Sequence, residues 1–149
     1  MRSGFCLFLA VWLAGAMPRG EPAVELGTPD EALRELFTPA SAPPGTYRVF
    51  RSTEPARELA TRLKGLDPNP APGAWEPRRL EIGAVFGYAG QFDPGRLGRL
   101  FRGRRVEVIR GSLHQDGRHR AFVLISPYPD PGLSRIVDGT MTIVIELTP

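Results

Sequence analysis

The sequence predicts a single α+β domain over residues 46–149, built as a mostly antiparallel sheet of four or five strands with two helices packed on one face. Three observations carry this expectation. Two β-rich runs flank Asp116-Gly117, a residue pair suited to a type I′ hairpin turn. A β-branched run from Thr140 to Leu147 closes the chain as a central strand. Two segments with apolar residues at helical spacing, 54–64 and 94–102, stand among stretches rich in proline and glycine.

Residues 1–16 have the build of a secretory signal peptide. Arg2 supplies the positive start, Phe5 to Ala16 carries no charge, and Ala14-Gly15-Ala16 ends the run with the small residues that a signal peptidase reads. The run is shorter than the ~20 apolar residues needed to span a bilayer, and Pro18 and Arg19 follow it. Cleavage after Ala16 leaves no transmembrane segment and predicts an exported protein, periplasmic or secreted. Cys6, the only cysteine, leaves with the leader, which removes internal disulfides and thiol catalysis.

Residues 17–45 read as an N-terminal extension. Thr28 is the expected helix cap, with Pro29 at the first helical position, Glu31 completing a capping box, and Leu33, Leu36 and Phe37 forming the apolar stripe. Pro39, Pro43, Pro44 and Gly45 then exclude regular structure and make a hinge, so the extension is expected to attach loosely. Thr46 to Arg51 alternates as a strand. Ser52 or Thr53 opens a helix carrying Ala56, Leu59, Ala60 and Leu63, and Gly65 stops it.

Asp67 to Pro77 is a proline-rich loop whose one large apolar side chain, Trp75, should plug a core edge. Leu80 to Phe92 is expected to be a strand ending in a Gly-rich turn. Asp93-Pro94 opens the next helix, Leu97, Leu100 and Phe101 form its buried side, and Gly103 closes it. In the hairpin of Arg105–Leu113 and Arg118–Ile125, a two-residue turn sets His114 opposite His119, Ser112 opposite Ala121, Arg110 opposite Val123 and Val108 opposite Ile125. Its base is apolar on both faces, which predicts burial from both sides. Pro127, Pro129 and Pro131 break the chain away from the sheet.

Charge is distributed unevenly. The formal net charge is only +3, which by itself does not call for a polyanion. Arg96 to Arg120, however, holds eight arginines against Glu107 and Asp116, whereas Glu21 to Leu36 is mostly acidic. Lys64 is the only lysine, so part of the arginine content reflects genomic codon preference.

Arg96, Arg99, Arg102, Arg104 and Arg105 form the leading candidate site, because planar guanidinium forks bind phosphate, sulfate or carboxylate bidentately. The bland alternative is a solvated helix face whose arginine stems cover apolar surface. Outside the cytoplasm the matching partners are an anionic envelope component or an acidic protein face. Nucleic acid is not expected, given the compartment and the low net charge.

Catalytic constellations are thin. His114 and His119 are candidate metal ligands, but a site needs a further donor and Asp116 lies in the turn itself. Ser112 and Ser126 lack a G-x-S-x-G setting. Glu76, Glu81, Asp93, Glu107 and Asp130 have no spacing that pairs two of them for acid–base work. No cofactor is expected. The aromatic and glycine cluster Phe86-Gly87-Tyr88-Ala89-Gly90-Gln91-Phe92 could form a flat platform for a sugar or peptide, but such a cluster is usually a core-lining turn. The reading favours a non-enzymatic module binding through the arginine-rich helix and hairpin; the alternative is a small exported hydrolase or metal-dependent enzyme centred on His114 and His119.

Gly73-Ala74-Trp75, Phe86-Gly87 with Ala89-Gly90, Arg96 to Phe101, Val108-Ile109-Arg110-Gly111, and Leu124 to Asp130 with Gly139-Thr140 together resemble exported bacterial proteins of uncharacterised function. The resemblance spans residues 46–147 and implies a bacterial envelope or secreted address, with no activity, cofactor or catalytic residue attached.

Overall fold

The computed structural model describes residues 24–85 and 94–147. The segment expected to be a signal peptide, the aromatic and glycine cluster from Phe86 to Phe92, and Asp93 lie outside these residues.

Asp30, rather than Thr28, starts the first helix. Thr28 and Pro29 form a two-residue strand, β1 (Thr28–Pro29), and the Asp30 carboxylate accepts from the Leu33 N–H at 2.9 Å to cap α1 (Glu31–Phe37). Proline is tolerated in β1 because this is an edge of the sheet. The remaining elements are β2 (Tyr47–Ser52), α2 (Ala56–Lys64), β3 (Arg78–Glu81), α3 (Ile82–Val85), α4 (Pro94–Phe101), β4 (Arg105–Gln115), β5 (Arg118–Ser126), β6 (Tyr128–Pro129), β7 (Ile136–Val137) and β8 (Thr140–Glu146).

Six strands form one antiparallel sheet in the order β1-β2-β8-β5-β4-β3, and β6 pairs with β7 in a separate ribbon. The α+β class and the antiparallel sheet agree with the sequence; six strands replace the expected four or five. The hairpin register is the expected one, with Val108↔Ile125, Arg110↔Val123, Ser112↔Ala121 and His114↔His119. Asp116 and Gly117 both have positive φ, at 53° and 73°, as a type I′ turn requires. β8 lies centrally, between β2 and β5.

Each face of the sheet has its own core. On the first face, Leu33 and Phe37 of α1, Ile82 of α3, and Leu97 and Phe101 of α4 pack over Val49, Val106, Val108, Ile125, Met141 and Ile143. On the second, Ala56, Leu59, Ala60 and Leu63 of α2, together with Trp75, pack over Ile109, Leu113, Phe122, Leu124 and Val144. α2 and α4 therefore cover opposite faces, not one. The physical reason lies in the hairpin, whose base is apolar on both sides: Val108, Ile109, Leu124 and Ile125 are all at most 2% exposed.

Two further expectations are corrected. The segment preceding residue 46 is not loosely attached where it is described: β1 pairs with β2, Arg51 Nε bonds the Asp30 carboxylate at 3.1 Å, and Leu33 and Phe37 are fully buried. The strand expected from Leu80 to Phe92 begins earlier and ends at Glu81, where the chain turns into α3 to bury Ile82. Trp75 is a core plug as expected, 5% exposed, with its Nε1–H donating to Asp67 at 2.9 Å.

Candidate anion-binding site

α4 is amphipathic in the expected sense. Leu97 and Phe101 are buried, while Arg96 and Arg99 are exposed on the opposite side. Arg102 ends the helix in the left-handed region at φ 51°, Gly103 follows at φ 74°, and Arg104 and Arg105 lead into β4, all three arginines exposed. The five side chains do not have equal freedom. Arg96 Nη2 donates to the Gly132 carbonyl at 2.8 Å, which ties α4 to the turn before β7, and Arg99 is also engaged. Arg105 stands opposite Glu81 in the β3–β4 ladder. Among the described residues no ion pair holds Arg102, Arg104 or Arg105.

The histidines meet as the register requires. His114 and His119 stack with ring centroids 3.9 Å apart and planes 15° from parallel. Strand alternation puts them on the first face, in one row with Arg110, Ser112, Ala121 and Val123. Among the described residues, no group of three or more His, Cys, Asp or Glu side chains is placed to hold a metal ion. Three of the hydroxyls and carboxylates named from the sequence, Ser126, Glu107 and Glu81, serve the framework. Ser126 ends β5, Glu107 pairs with Arg57 at 2.9 Å, and Glu81 stands opposite Arg105.

Asp130 organises the turn from Asp130 to Arg135. Burial opposes ionisation of its carboxyl, but the Arg135 and Ser134 N–H groups at 2.9 and 2.7 Å and the Ser134 hydroxyl at 2.8 Å outweigh that cost and hold its pKa below the ordinary value. Glu146 is depressed for another reason. Arg118 donates to it from Nε and Nη2 at 2.7 Å each, which outweighs partial burial, and Arg120 and Arg48 add attraction. Arg120, its neighbour in the β5–β8 ladder, is only 1% exposed.

One site escaped the sequence. A cavity of about 240 Å³ is lined by Gly73 and Glu76 of the proline-rich loop and by Arg78, Leu80, Val108 and Arg110. The Trp75 N–H bonds the Arg110 carbonyl at 2.8 Å, so the loop is laid along β4 and Glu76 is carried to the cavity rim. Arg110 also borders an apolar hollow of about 100 Å³ formed by Phe37, Tyr47, Val85, Val123, Ile143 and Ile145. The signal that was available is the alternation of β4, which puts Arg110 two residues beyond Val108 on the same face.

No family model, curated protein or solved structure matches this chain. No helix of the described residues is long and apolar enough to cross a membrane.

Proposed function

We propose that this protein is a non-catalytic binding module, exported to the periplasm or beyond, that engages an anionic envelope component or an acidic protein face. The observation that carries the reading is the exposed run Arg96, Arg99, Arg102, Arg104 and Arg105 at the junction of α4 and β4, three of whose guanidinium groups have no ion-pair partner among the described residues. Guanidinium groups left exposed in this way offer bidentate donors to phosphate, sulfate or carboxylate without first breaking an internal pair. Arg96 acts mainly as a brace, since its fork is held by Gly132.

The alternative, a hydrolase or metal-dependent enzyme on His114 and His119, has the stacked imidazoles in its favour. It lacks the third donor that a metal site requires among the described residues. Co-sedimentation of the purified protein with anionic and neutral phospholipid vesicles and with isolated cell-wall polymer tests the binding reading. Retention on the anionic material that declines with salt supports it; no retention on any of them, at low salt, overturns it.

A further inference from the structure

We propose that the cavity of Glu76, Arg78 and Arg110 is a binding site for a small aliphatic zwitterion of the free amino acid type, separate from the α4 arginines. The argument starts from charge. Arg78, Arg110 and Glu76 are all exposed and line one cavity, and among the described residues none of the three is in an ion pair, with each other or with any other side chain. A glutamate beside two arginines would ordinarily neutralise one of them. Here no such pair forms: Arg78 and Arg110 rise from paired strands, and Glu76 comes from the loop anchored by Trp75.

Separated charges of both signs around one cavity match a ligand that also carries both. Two forks receive a carboxylate, and the Glu76 carboxylate receives an ammonium group. A phosphate dianion matches the arginines but is repelled by Glu76. Between the charged groups the floor is apolar, made of buried Val108 and half-buried Leu80, which suits an aliphatic side chain. Size sets the upper limit. A cavity of about 240 Å³ lies below the usual ~300–1,000 Å³ of sites for drug-sized molecules. A single amino acid suits this space.

Calorimetric titration with four probes separates the contributions: L-leucine, N-acetyl-leucine without the ammonium charge, leucinamide without the carboxylate, and inorganic phosphate. Leucine should bind saturably. Leucinamide should bind at least about tenfold more weakly and N-acetyl-leucine a few-fold more weakly, the order expected when two forks hold one end and a single carboxylate the other. Arg110→Gln should reduce leucine affinity at least about tenfold, and Arg110→Lys should restore only part of it, because the charge returns without the fork. In Glu76→Gln the preference for leucine over N-acetyl-leucine should vanish. Arg110 and Glu76 are exposed, so these variants keep the fold, which circular dichroism melting checks. The proposal is overturned if leucine gives no saturable heat at millimolar concentration, if phosphate binds as tightly, or if Arg110→Gln leaves leucine binding intact. Arg102→Glu with Arg104→Glu should bind leucine as the parent does, which keeps this site's result distinct from that of the α4 arginines.

Discussion

The indole of Trp75 lies directly over the bare Cα of Gly111: a Cβ built on Gly111 would stand 2.3 Å from Trp75 Cε2 and 2.5 Å from Cζ2. No side-chain atom tolerates such an approach, so only glycine at this point of β4 lets the proline-rich loop close over the second face. Gly111→Ala must displace the indole, at a cost of about 1–3 kcal/mol. The urea midpoint should fall accordingly. An unchanged midpoint and slope would mean that the loop does not pack on β4 as described.

Gly117 is a cleaner backbone test, since no atom lies within 4 Å of a Cβ built there and its φ is 73°. Gly117→Val should cost on the order of 1 kcal/mol or more, through the resistance of a β-branched residue to the left-handed region alone. A variant as stable as the parent would place the hairpin turn elsewhere.

The Arg118–Glu146 pair predicts part of the pH dependence of stability. Glu146 has a folded pKa below its unfolded value, so its contribution is present above the unfolded carboxyl pKa of about 4.3 and is lost as pH falls through the folded value. Glu146→Gln should therefore lower the urea midpoint at neutral pH, and the gap from the parent should close in strong acid. Because 37% of the Arg118 side chain is exposed, water screens the pair and the gap stays modest. A gap of the same size at both pH values would show that the loss is one of packing rather than charge.

Export makes a prediction independent of the fold. Mass spectrometry of the protein recovered from its host should find a mature N-terminus at Met17 or within a few residues of it. An uncleaved chain in the cytoplasm would remove the envelope from the account.

Local chemistry made much of this architecture legible in the sequence, and long-range choices hid the rest. The register of His114 with His119 follows from one dipeptide, Asp116-Gly117, because a two-residue turn leaves a single pairing open. The side of the sheet that each helix covers does not follow from either helix. Leu59 and Leu97 both demand burial, but only the two-faced apolar base of the hairpin lets them go to opposite sides. The helix cap moved from Thr28 to Asp30 because Thr28 and Pro29 pair with Arg51 and Phe50 at the sheet edge, a long-range contact that starts the helix two residues later. In the candidate sites, a step of three residues exposed Arg96 and Arg99 together, as periodicity implies. The cavity of Arg78, Glu76 and Arg110 was not legible, because it requires the pairing of β3 with β4 and the docking of Trp75 on Gly111.

The most direct test of the binding account is a comparison of the parent with Arg102→Glu, Arg104→Glu in vesicle co-sedimentation at low and high salt. Both positions are exposed and outside any ion pair among the described residues, so the substitutions leave the core untouched; the helix end loses about 0.3–1 kcal/mol from the reversed charge near its C-terminus. The parent should bind anionic vesicles and release them as the Debye length shrinks from about 10 Å to about 3 Å, and the variant should bind at least about tenfold less at low salt. Equal binding by parent and variant, at low and high salt alike, would contradict the account and leave these arginines as an ordinary solvated surface.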